Sequence, residues 1–124
     1  MVINLVPVTP KHYEFVRALR TDPRTQGAFL EQENITAAQQ TRYMDRYSKN
    51  YYICLLHGDP CGYVGVINDD IRICSHPDYQ RKGVGYFMLS EIKKIYPSAV
   101  GRIKENNLTS QRLFEKCGVE YTLI

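Results

Sequence analysis

The sequence predicts a fold of the α/β (α+β) class, with a mixed central sheet and elements in the order β-α-α-β-β-β-α-β-α-β. Three observations point there. Three short apolar runs between residues 51 and 75 are separated by tight turn signals, the pattern of an antiparallel meander. A glycine-bearing loop then opens a long amphipathic helix. After it, strand and helix signals alternate to the end of the chain.

Ile3 to Val8 alternates loosely and reads as a strand, and Pro7 marks it as an edge because proline cannot donate to a ladder. Pro10 suits a helix start, and His12, Phe15, Val16 and Leu19 follow at helical spacing. Thr21-Asp22-Pro23 ends that helix, and Arg24 to Asn34 reads as a polar loop with Phe29 and Leu30 as apolar anchors. Thr36-Ala37-Ala38-Gln39 is a capping box, so a second helix starts there, with Tyr43, Met44 and Tyr47 on one face. Tyr51 to Leu56, Gly62 to Ile67 and Ile71 to Ser75 are the meander strands, joined at Gly58-Asp59-Pro60 and at Asn68-Asp69. Val84, Phe87, Met88, Ile92 and Ile95 line one face of the long helix, which Pro97 closes. Ala99 to Ile103 is a strand, Ser110 to Lys116 a helix stopped by Gly118, and Val119 to Leu123 a last strand. No repeat, linker or low-complexity segment interrupts this order, so the 124 residues are expected to form one domain, 1–124.

Composition removes several function classes. A net charge of +3 without a basic run or tail gives no reason to expect nucleic acid. Cys54, Cys61, Cys74 and Cys117 form no CxxC pair and no metal-type spacing with His12, His57 or His76, so no metal is expected. Unpaired cysteines in apolar segments fit a reduced compartment, and the start lacks a signal peptide's charged and apolar regions. No stretch approaches membrane-spanning length. A cytoplasmic protein, with no membrane partner, is therefore expected.

The chemistry concentrates at Gln80-Arg81-Lys82-Gly83-Val84-Gly85. Glycines let the backbone approach an anion, and the first N–H groups of the helix point at it unpaired. Arg81 and Lys82 add positive charge. A phosphate-bearing ligand is expected there. The absence of Lys-Ser/Thr after the loop argues against a nucleotide-binding P-loop.

The run Ser75 to Gly85 resembles motif A of the GCN5-related N-acetyltransferases, whose Gln/Arg-x-x-Gly-x-Gly/Ala loop grips the pyrophosphate of coenzyme A. Asn107-Leu108-Thr109-Ser110-Gln111-Arg112-Leu113-Phe114-Glu115-Lys116-Cys117-Gly118-Val119 resembles motif B. The two stand at the family's usual separation, and the element order is similar over the whole chain. The resemblance implies the family's fold and an acetyl-coenzyme A-dependent transfer to a primary amine in a ternary complex. It implies coenzyme contacts at Ile73, Cys74 and Ser75, on a strand splayed from its neighbour to bind the pantetheine arm, at Gln80, Arg81, Lys82, Gly83, Val84 and Gly85, and at Asn107. Tyr86 flanks the cradle and joins that set.

For catalysis the resemblance directs attention to the acidic pair Asp69 and Asp70, with Asp70 taken as base, and the strand end before Pro77 offers His76, each weighed against a plain surface role. Phe29, Glu31 and Glu33 lie on the loop that borders the family's acceptor site. A small-molecule amine is the expected partner, with an amino-sugar nucleotide favoured by the similarity of Leu19-Arg20-Thr21-Asp22-Pro23 to one branch of the family. A homodimer is left open. Two departures stand out. Phe114 occupies the position where many members carry a tyrosine that protonates the leaving thiolate, and only one strand follows motif B where many have two. The rival reading is a non-catalytic, regulatory coenzyme A-binding module.

Overall fold

The computed structural model describes residues 2–26 and 35–124. The sheet begins with four antiparallel strands in sequential order: β1 (Ile3–Pro7), β2 (Tyr51–Leu56), β3 (Asp59–Ile67) and β4 (Asp70–Ser75). Two-residue turns join the last three, with positive φ at His57 and Gly58 and again at Asn68 and Asp69, the backbone that matches the strands' right-handed twist. β3 therefore starts earlier than the Gly62 expected, and Cys61 is the extra residue where the register shifts between Cys54 and Leu55. β1 is the edge, as Pro7 requires.

Both faces of this sheet are buried, which is why its strands read as apolar runs. On one face lie α1 (Tyr13–Thr21) and α3 (Ala37–Tyr47), whose Val16, Leu19 and Met44 pack with Tyr51, Ile53, Tyr63 and Cys74. Thr36 caps α3 through its hydroxyl and Gln39 completes the box. On the other face lie α4 (Val84–Ile95) and α5 (Leu108–Cys117). Val84, Met88, Leu89 and Ile92 are buried there against Cys54, Val64 and Ile71. Ile95 is 46% exposed, so the buried stripe of α4 runs through Leu89 rather than through the helix end.

The stretch expected as loop from Arg24 begins differently. Pro23 sets a helical φ and starts a short helix, α2 (Pro23–Gln26). Phe29, Leu30, Glu31 and Glu33 lie outside the described residues.

The remaining strands form a separate parallel pair, β5 (Gly101–Ile103) with β6 (Tyr121–Leu123). Each is shorter than expected: Ala99 N–H still bonds back to Tyr96 C=O before β5, and Gly118 and Val119 still close the end of α5 by donating to Glu115 and Phe114 carbonyls before β6. β4 and β5 meet at one parallel bridge, Asp70 with Val100, held by Ile71 N–H to Val100 C=O (2.9 Å) and Val100 N–H to Asp69 C=O (2.8 Å). Beyond that bridge the two strands share no ladder. The mixed sheet is split along this line.

Candidate active site

The split leaves β4 half paired. Its backbone groups alternate in direction, as in any antiparallel ladder. Asp69 and Ile71 bond across to Val100, whereas His76 N–H donates back to Cys61 of β3 at 2.8 Å. By the same alternation Ile73 and Ser75 turn their N–H and C=O toward the gap, and Cys74 turns its own toward β3. An extended ligand with amides would satisfy Ile73 and Ser75 by adding as a strand. Of the three residues expected to offer free backbone, two do; Cys74 contributes its side chain to the cavity wall instead.

A cavity of about 920 Å³ runs through the split. Side-chain alternation divides its lining between two faces. Ile71, Ile73, Gly85, Ile103, Leu113 and Phe114 lie on the α4/α5 face. Asp70, Arg72 and Cys74 of β4 point the other way, toward Tyr51, Tyr63, Arg20 and the short helix with Arg24 and Thr25. Arg102 of β5 joins them, because its neighbours Gly101 and Ile103 are buried on the α5 side.

The mouth on the α4 side is the glycine loop. Gln80, Arg81, Gly83, Val84, Gly85 and Tyr86 all border it. Arg81 and Gly83 both have left-handed backbones (φ 64° and 79°), which turn the chain so that α4 begins abruptly. A Cβ on Gly83 would meet nothing within 4 Å, so the loop offers an open concavity at a helix N-terminus. The first backbone bond there is Phe87 N–H to Gly83 C=O at 3.0 Å; the N–H groups before it lie in the unpaired first turn. That donor set, with Arg81 beside it, fits a pyrophosphate. Asn107 both caps α5, its Oδ1 accepting from Ser110 N–H at 3.2 Å, and borders the cavity. Lys82 is not on the wall; its ammonium lies 5.7 Å from the Tyr79 ring centre.

Of the two candidate bases, only Asp70 is on the wall. It sits at the vertex of the split, and its Oδ2 accepts from Arg72 Nε (2.8 Å) and from Arg102 Nη2 (3.2 Å). His76 is not on the wall; its Nδ1 accepts Asp78 N–H at 3.0 Å and its ring stacks on Phe15. The Cys74 thiol is pushed up to about 12, first by burial and then by the charge of Asp22. Burial also pushes the Tyr51 and Tyr63 hydroxyls well above the tyrosine range, and the Tyr43 hydroxyl beside Tyr51 adds to that. Among the described residues no group of three or more His, Cys, Asp or Glu side chains could hold a metal ion, and no helix is long and apolar enough to cross a membrane.

The acetyltransferase (GNAT) domain family matches residues 3–120. The chain belongs to the GNAT acetyltransferase family. It is therefore an acyltransferase dependent on acetyl-coenzyme A. Solved structures repeat the fold. A spermidine N-acetyltransferase from Vibrio cholerae, solved with CoA and spermine, superposes with a TM-score of 0.81 at 13% identity, covering 94% of this chain and 79% of that one. A ribosomal-protein-alanine N-acetyltransferase from Brucella melitensis gives 0.81 at 12% identity, covering 95% and 83%. A domain from Methanocaldococcus jannaschii gives 0.79 at 23% identity, covering 94% and 87%. No curated protein matches the sequence.

Arg72 and Arg102 were not singled out by the motifs. Each is a charge flanked on both sides by apolar or small strand residues, Ile71-Arg72-Ile73 and Gly101-Arg102-Ile103. A charge between such neighbours was the signal available.

Proposed function

We propose that this acetyltransferase moves the acetyl group of acetyl-coenzyme A directly to the primary amine of a small molecule, of which an amino-sugar nucleotide is one candidate. The observation that carries this reading is the continuous cavity through the β4/β5 split, with the glycine cradle at one mouth and a polar mouth on the opposite face. Donor and acceptor can then meet from opposite sides without sharing space.

The coenzyme supplies the activated thioester. Gln80, Arg81, Gly83, Val84, Gly85 and Tyr86 hold its pyrophosphate, with Asn107 donating from its free amide. Ile73 and Ser75 pair with its pantetheine amides, and a backbone N–H in the gap faces the carbonyl oxygen as negative charge grows on it. The amine nitrogen bonds to the carbonyl carbon as the carbon–sulfur bond breaks. Asp70 takes the nitrogen's proton on Oδ1, the oxygen that accepts from neither arginine. Phe114 has no proton to give, so the thiolate leaves unassisted, which a thiol of pKa ~8.5 allows.

Gly83→Glu tests the donor half without relying on turnover. Its side chain would fill the concavity with negative charge, and calorimetry should show coenzyme A affinity falling by tenfold or more. Unchanged affinity would remove the cradle from the coenzyme site. Release of free thiol from acetyl-coenzyme A across a panel of amines tests transfer itself; no release above the amine-free rate would refute it.

A further inference from the structure

We infer that the acceptor carries an oxyanion as well as its amine, and that Arg72 and Arg102 hold that group. The inference rests on the transfer reading above and names the substrate class of the same site. On the face opposite the coenzyme cradle, Arg72 and Arg102 converge on one carboxylate oxygen, Oδ2 of Asp70. Among the described residues one negative charge therefore answers two positive ones, and the vertex of the cavity keeps an excess of +1. Arg72 uses Nε there and Arg102 uses Nη2. Each guanidinium has five N–H donors in a planar fork, so most of their donors are left for a ligand. Their side chains are 42% and 48% exposed, whereas Asp70 is 15% exposed: the cations reach further into the cavity than their counter-ion.

Among the described residues, the other carboxylates near this face lie off the cavity wall. Arg24 is answered by Asp22 at 2.9 Å and by Asp78 at 3.3 Å. Arg20 donates to Gln40 and lies 5.1 Å from the Tyr43 ring centre. Asp70 is the only carboxylate among the described residues lining the cavity. Guanidinium forks match carboxylate and phosphate oxygens two at a time. A polyamine would instead bring additional positive charge against an already positive wall, where like charges repel. The selectivity is thus attractive for an anionic amine and repulsive for a polycation.

Calorimetry on the full chain saturated with coenzyme A separates the possibilities. The phosphate arm compares glucosamine 6-phosphate with glucosamine, the carboxylate arm compares alanine with alaninamide, and spermidine is the polycation. At least one anionic member should bind tenfold or more tightly than its neutral partner, and the arm that does so identifies the oxyanion. Arg72→Gln and Arg102→Gln should each weaken that binding by about ten- to hundredfold, the worth of a hydrogen bond to a charged group, while coenzyme A affinity stays within twofold. Arg102→Lys should recover part of the loss. Asp70→Asn should tighten the anion even as it slows transfer, which a merely structural role would not produce. Equal or tighter binding of the neutral amines or spermidine overturns the inference, as does no binding by either anionic member. Binding of an anionic amine with no thiol released refutes the transfer reading and leaves this one standing. Release with neutral amines and no preference for anions does the reverse.

Discussion

Cys74 puts a thiol on the wall of the cavity through which an acetyl group would pass. A cysteine so placed raises the question of an acyl-enzyme, and its environment answers it. With the thiol pushed up to about 12 by burial, only on the order of 10⁻⁵ of it is thiolate at pH 7, and the thiol form is a poor nucleophile. Cys74→Ala should therefore keep kcat within about threefold, and initial-rate plots should intersect, as direct transfer requires, rather than run parallel. Loss of transfer with retained coenzyme binding would make Cys74 the acyl carrier. The neighbouring residue Ile73 shows how much one position can decide. Its identity says only that a strand is apolar; its main-chain direction, set by the ladder to β3, turns its amide toward the gap. Asp70 and His76 were both candidates by sequence, each beside a strand end. The fold sent Asp70 to the cavity vertex and turned His76 Nδ1 to the Asp78 N–H, off the cavity wall.

At the scale of elements, α5 ties the site to the core through Phe114. Its ring is 3% exposed and lies against Gly101 so closely that a Cβ there would come within 2.4 Å of Cε2. Tyr121 meets the same ring edge-on at 6.1 Å between centres. Phe114 thus holds β5 and β6 together over the helix and keeps the far wall of the split in place. Phe114→Ala should cost ~3–5 kcal/mol of stability, read as a fall in the urea midpoint. A midpoint equal to the parent's would show the ring does no packing. The elements themselves were largely legible. Capping at Thr36, punctuation at Pro23 and Gly118, and short apolar runs bounded by turn residues are local effects that act within a few residues. The misses were also local-versus-global conflicts. Ile95 fits the helical stripe of α4, yet it is exposed, and Leu89 off the stripe is buried. α2 was read as loop because four residues are too few for a periodic pattern.

For the whole molecule, stability against pH follows from groups the fold keeps neutral. Burial, then the charge of Lys11, lowers His12 from 6.5. The unfolded chain then binds more protons in acid, so this contribution is present above about pH 6.5 and is lost as pH falls through the folded value. Burial raises the Cys54, Cys61 and Cys74 thiols above 9.0 and the Tyr51 and Tyr63 hydroxyls above 10.0. Their contribution is complete below the unfolded values and declines as pH rises past 9. Melting temperature should therefore be highest between about pH 6.5 and 9, and His12→Gln should flatten the acid side of the curve in particular. An unchanged acid limb in that variant would remove His12 from the account. The sequence by itself determined the order of elements, the two motifs and the glycine cradle, because turns, caps and helix starts are chosen by residues adjacent in the chain. It determined the family for the same reason. Only the tertiary structure decided that β4 and β5 part after a single bridge, that Ile73 and Ser75 face the opening, and that Arg72 and Arg102, 30 residues apart, share one carboxylate. Those facts depend on which strand edges are left unpaired and on where separate strands converge, and no short stretch of chain carries that information.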